Sequence, residues 1–204
     1  MFPTLTLIMN NAIKINGMPE NFFVTLFATM YVGMAPLTAM TAIIAEEKEK
    51  NTLRVLLLSN VKPYEYFSGV GIYVWVSCLI GAAVICAAGN YERNESIFFM
   101  LVMAIGILAS LMIGAAIGTW SRTQMAATSI TVPVMMILSF LPMLSIFNTS
   151  IAKIAKFFYS EQIHLMLNQI NNLKIEFHSF CIVFLNMIVA AVLFHIAYRK
   201  CGLA

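Results

Sequence analysis

The chain has 204 residues, 61% of them hydrophobic and only 10% charged, with a mean hydropathy of +0.87 and a formal net charge of +3. Soluble domains carry about 25% charged residues, so this composition excludes an ordinary soluble fold and points to a membrane protein. The net charge is too small and too dispersed for a nucleic-acid surface, and all nine acidic residues are Glu.

Charge-free intervals mark the predicted spans. Residues 21–45, 66–91, 96–121, 123–152 and 179–198 contain no Lys, Arg, Asp or Glu. Crossing a bilayer takes about 20 apolar residues, which predicts an all-α polytopic protein with about five transmembrane helices in a single domain, 1–204. Residues 1–20 lack a basic start followed by an apolar core, so no cleavable leader is expected. They read as an extracellular segment ahead of the first span.

Residues 46–65 follow that span and form the predicted cytoplasmic segment. Glu46, Glu47, Lys48, Glu49 and Lys50 put five charges in a row, and a leucine-rich run comes at once. Leu53, Leu56 and Leu57 share one helical face, while Glu46, Lys50 and Arg54 recur at intervals of four on another. Glu46 ahead of Lys50 has the favourable order for an ion pair one turn apart. Asn60 and Pro63 end this amphipathic helix, and Pro63 suits the first turn of the next. A solvated loop with a helix resting on lipid headgroups fits the same residues.

Beyond the second span, residues 91–96 make a tight connection. The third span carries Ser110, Gly114 and Gly118, a small-xxx-small row that permits close helix approach without naming a partner. The fourth interval is longer than one span needs, and Pro133 and Pro142 predict a kink or break in it. In residues 148–178, Ile151, Ile154, Ala155 and Phe158 recur at helical spacing, as do Ile163, Met166, Leu167 and Ile170. That predicts two short extracellular amphipathic helices at, or dipping into, the outer leaflet; a surface loop with local helicity is the alternative.

Loop charge sets the orientation. With 46–65 in the cytoplasm, that side holds Lys48, Lys50, Arg54, Lys62, Arg122, Arg199 and Lys200. The other side holds Lys14, Arg93, Lys153, Lys156 and Lys174 over longer segments. The positive-inside bias puts the N-terminus outside and the C-terminus in the cytoplasm, in the cell membrane. Tyr64, Tyr66, Phe67, Trp120 and Tyr198 sit at the predicted inner boundary.

The run from Glu47 to Val61, EKEKNTLRVLLLSNV, resembles the cytoplasmic signature of type-2 ATP-binding-cassette exporter permeases. That pattern reads roughly E-K-E-x-G-T-L-E-x-L-L-x-S-P-V, followed by a short polar link and a new span. Glu47, Lys48, Glu49, Thr52, Leu53, Leu56, Ser59 and Val61 keep it; Asn51, Arg54 and Asn60 depart from it. The kinked span, paired outer helices and last span of residues 123–198 are similar to the family's arrangement. The family usually has six spans, and residues 1–20 correspond to the outer loop after its first. Either this is a five-span form or the sequence begins late.

The resemblance implies a dimer of permease chains, homo- or heteromeric, working with two separate ATPase subunits that carry ATP-Mg. The stretch 47–59 would be the coupling helix. Leu53, Leu56 and Leu57 would fill a groove of the ATPase, with Glu47, Glu49, Thr52 and Arg54 beside them. On this reading, charge reversal at Glu49 uncouples ATP hydrolysis from export.

The chain itself has no G-x-x-x-x-G-K-[ST] phosphate loop, so ATPase activity is expected on a partner and no cofactor on this chain. An intramembrane enzyme would need buried acidic or His clusters. His178 and His195 lie near opposite ends of the last span, and His164 falls in the outer segment. Methionines such as Met100, Met103, Met135 and Met136 suggest Cu(I), but Met is also ordinary apolar filler. Cys78, Cys86, Cys181 and Cys201 show no metal or disulfide spacing. The walls favour amphipathic or hydrophobic cargo, such as an antimicrobial peptide (a bacteriocin) or a lipophilic drug. The rival is a non-transporting immunity or peptide-binding membrane protein.

Overall fold

Five long apolar stretches form helices because a lone backbone polar group in hydrocarbon must be satisfied within its own segment. The computed structural model describes residues 3–6, 8, 21–50, 52, 63–89, 91–170 and 177–200. Five spans are long and apolar enough to cross a membrane: α1 (Phe22–Glu49), α2 (Pro63–Ala87), α3 (Arg93–Trp120), α4 (Gln124–Phe147) and α7 (Phe177–Lys200). Two short helices, α5 (Thr149–Ala155) and α6 (Tyr159–Asn168), come between α4 and α7. As predicted, Pro63 opens α2.

α1 and α3 are the inner helices. Buried residues make up 50% and 56% of their apolar windows, against 17% to 22% in the other three spans. α1 packs against α2, α3 and α4, while α3 also packs against α7. Their contact supplies the centre of the core, with Val24, Val32, Leu37 and Ile44 meeting Phe99, Met103 and Ile107. α2, α4 and α7 turn large apolar side chains outward, among them Ile72, Ile137 and Leu185. Such a surface suits lipid and not water.

Hydroxyls inside the spans are kept off the lipid by bonding to the preceding turn. Thr41 donates to Leu37 O and Thr131 to Ala127 O, each at 2.8 Å. At the start of α3, Glu92 and Glu95 form a reciprocal capping box that fixes where the helix begins.

The fourth interval resolves into two elements. α4 runs without interruption through Pro133 and Pro142 and stops at Phe147, so a break is not formed there. Asn148 then caps α5, its Oδ1 accepting from Ser150 N at 2.9 Å. The extra length of the interval is therefore the first turn of α5.

α6 also differs from a helix resting in a leaflet. Ile163, Met166, Leu167 and Ile170 are buried as the apolar stripe predicts, but so are Tyr159, Ser160, Glu161, Gln162 and His164. The helix is wedged among α1, α3, α4 and α7, and sends polar side chains inward. α5 is more open, with Ala155 buried and Ile154 exposed.

Candidate functional site

The charged run ends α1, and its residues project in different directions. Glu46 and Lys50 pair on the exposed side at 2.5 Å, and Glu46 raises the Lys50 pKa by accepting that hydrogen bond. The other three lie toward neighbouring helices, Glu49 while still exposed to solvent. Glu47 lies near the Tyr66 hydroxyl of α2, but its Oε2 and the Tyr66 oxygen are both buried and neither makes a hydrogen bond among the described residues. Lys48 Nζ donates to the Thr119 carbonyl in the last turn of α3. Glu49 Oε2 accepts from the Gln124 backbone N–H at 2.6 Å, at the first residue of α4.

Lys48 and Glu49 match the helix ends they touch. A cation is favourable at a helix C-terminus and an anion at an N-terminus, where backbone groups lack intrahelical partners. Between those ends lie only Ser121, Arg122 and Thr123. Thr123 adds its own cap, accepting from Ala126 N at 3.2 Å. Thr52 donates to Glu47 O at 2.9 Å. Leu53, Arg54, Leu56 and Leu57 lie outside the described residues, as does most of the predicted coupling helix.

The opposite end of the bundle is closed by α6. Tyr159 is fully buried, and its hydroxyl lies 2.8 Å from Ser110 Oγ of α3. Ser110 Oγ is in turn 2.6 Å from Val32 O of α1. Pro36 has no N–H to offer that carbonyl from one turn on, so the serine takes the donor's place. With one proton per hydroxyl, the chain runs Tyr159 to Ser110 to Val32.

A second relay uses His164. Burial pushes its pKa down to about 4, so the ring is neutral near pH 7. Asn168 Nδ2 is 3.0 Å from Nε2, and Thr29 Oγ1 is 3.2 Å from Nδ1. Thr29 donates to Thr25 O, which makes Nδ1 the protonated nitrogen. Glu161 is buried as well, with both carboxylate oxygens 2.9 Å from Ser145 Oγ of α4. Burial raises its pKa, and Ser145 and Lys156 pull the other way.

Between these ends lies an apolar groove of about 510 Å³, in the half of the bundle nearer the charged run. Met40, Phe67, Trp75, Leu111 and Phe194 line it. Ser110, Gly114 and Gly118 line up along α1: a Cβ at Gly114 would come within 2.7 Å of Leu37 O, and one at Gly118 within 2.9 Å of Ile44 Cβ. Among the described residues, no three His, Cys, Asp or Glu side chains are grouped to hold a metal.

Residues 8–198 match the family model described as ABC-2 family transporter protein. The chain belongs to the ABC-2 transporter family. No curated protein matches it. As an ABC-2 permease it is a multi-pass membrane subunit of an ATP-binding-cassette transporter, and its family implies an ATPase partner. The sites at the two ends of the bundle are then two ends of a transport subunit. Sequence reasoning found the charged run and the small-residue row. It missed the inward roles of Pro36, Tyr159, Glu161 and His164; an uncharged span containing a proline was the signal for the first of these.

Proposed function

We propose that this ABC-2 permease is the membrane part of an exporter that works as a dimer with a separate ATPase, and moves amphipathic or hydrophobic cargo outward. The observation that carries the reading is the placement of the charged run. It ends an inner span, touches three other helices, and leads directly into the leucine-rich segment that resembles a coupling helix. Residues 46–65 face the cytoplasm on this reading, and α5 and α6 face outside, in keeping with the Lys/Arg bias of the loops. ATP-Mg binds the partner, and nucleotide shifts the permease between two states. An apolar groove at the inner half, with a plugged outer end, suits a cargo that enters from the inner leaflet. An antimicrobial peptide or a lipophilic drug has that chemistry.

Co-purification in detergent with the ATPase encoded beside this chain tests the reading, using wild type and Leu56→Asp. A stable complex that Leu56→Asp abolishes is expected. A permease that purifies alone in both forms overturns it and leaves a non-transporting peptide-binding protein as the better description.

A further inference from the structure

Three consecutive residues of α1 turn toward three different helices. Successive residues of an α-helix point about 100° apart, so three in a row span about 200°. Glu47 lies near Tyr66 of α2 without a hydrogen bond, while Lys48 donates to Thr119 O of α3 and Glu49 accepts from Gln124 N of α4. Glu49 is exposed, yet its carboxylate is committed to capping a helix of its own chain. Lys48, likewise, is committed to a carbonyl of α3.

We propose that Lys48 and Glu49 are positioning residues inside the permease, a hub through which displacement of the adjoining end of α1 is delivered to α3 and α4 together. The inference rests on the exporter reading above and reassigns Glu49 within it. Contact with the ATPase falls instead to the apolar residues further on. The connection of three residues between α3 and α4, held from α1 on both sides, leaves α4 no slack at this end. A push on the end of α1 therefore moves the start of α4 directly, without passing through α2 or α7.

The test needs no knowledge of cargo. A spin label is placed at Met125→Cys, 82% exposed on the first turn of α4, in a chain with Cys78, Cys86, Cys181 and Cys201 replaced by Ala. Spectra of the permease–ATPase complex are compared without nucleotide and after trapping with ATP and vanadate. The unaltered hub is expected to give a nucleotide-dependent change. The pair Lys48→Met and Glu49→Ala is expected to lose it while the ATPase still co-purifies and hydrolyses ATP. Persistence of the change in that variant overturns the hub, and so does release of the ATPase. Where the pair does not fold, Lys48→Met alone replaces it, removing the donor to Thr119 O while Glu49 keeps its cap on α4. That variant is expected to hold the ATPase and show a reduced spectral change; an unreduced change, or loss of the ATPase, overturns the hub. Absence of ATPase binding in the protein with an unaltered hub overturns the exporter reading, a result distinct from either.

Discussion

Pro36 removes one donor from α1, and the response to that loss involves two other elements. Val32 O takes a hydrogen bond from Ser110, and Tyr159 completes the Ser110 hydroxyl. An orphaned buried carbonyl costs about 1–3 kcal/mol, more than the net worth of a hydrogen bond. Ser110→Ala leaves both Val32 O and the Tyr159 hydroxyl without that partner, so it should destabilise by about 1–3 kcal/mol. Tyr159→Phe should cost less, about 1 kcal/mol, because Ser110 still reaches Val32. Adding Tyr159→Phe to Ser110→Ala should recover part of the loss, since a buried hydroxyl without a partner is then gone. Unfolding of the purified protein in detergent, for both single variants and the double, checks the order; strictly additive losses would contradict the relay. None of this was legible before the fold was known. A serine in a small-residue row reads as a packing position, and its role as a donor depends on a proline 74 residues earlier, the interval from Pro36 to Ser110.

At the level of elements, α1 and α3 approach closely because of two glycines, and the same chain supplies its own control. Gly114→Ala would put a methyl within 2.7 Å of the Leu37 carbonyl, a backbone atom that cannot turn aside. Overpacking of this kind costs about 1–3 kcal/mol. Gly69 of α2 has nothing within 4 Å of its added Cβ. There the helix preference of alanine should stabilise by about 0.5–1 kcal/mol. Melting curves for the two variants should therefore shift in opposite directions. The spans themselves were legible, because charge-free runs of this length have few alternatives in a bilayer. Their ends moved by a few residues: α1 continues through Glu49, since Lys48 and Glu49 find partners on neighbouring helices and need not mark an exit to water. α6 was only half legible. Its apolar stripe is visible in the sequence, but the burial of Glu161 and His164 depends on Ser145 and Thr29, which come from other spans.

For the whole molecule, the two ends differ in kind. One end gathers ionic contacts at helix termini, while the other is closed by buried hydroxyl, imidazole and carboxyl groups inside the plug. The positive-inside bias then makes a prediction about sidedness. In the same cysteine-free chain, Cys at Phe157 beside α5, 74% exposed, should react with a membrane-impermeant thiol reagent on intact cells. Cys at Met125 should react only after the cells are permeabilised. The reverse pattern would invert the orientation and with it the direction of transport. The broad architecture was legible from composition and hydropathy. The division of labour between the ends was not, because it depends on which termini the fold brings together. The backbone donor missing at Pro36 also bears on how the chain is made. α1 is the least apolar of the five spans, with a mean hydropathy of 1.6. It emerges from the ribosome with a carbonyl whose donor, Ser110, is synthesised 78 residues later. Until then hydrocarbon offers Val32 O no partner. Until α3, the most apolar of the five spans, is in place, a water molecule or the insertion machinery is expected to serve that carbonyl.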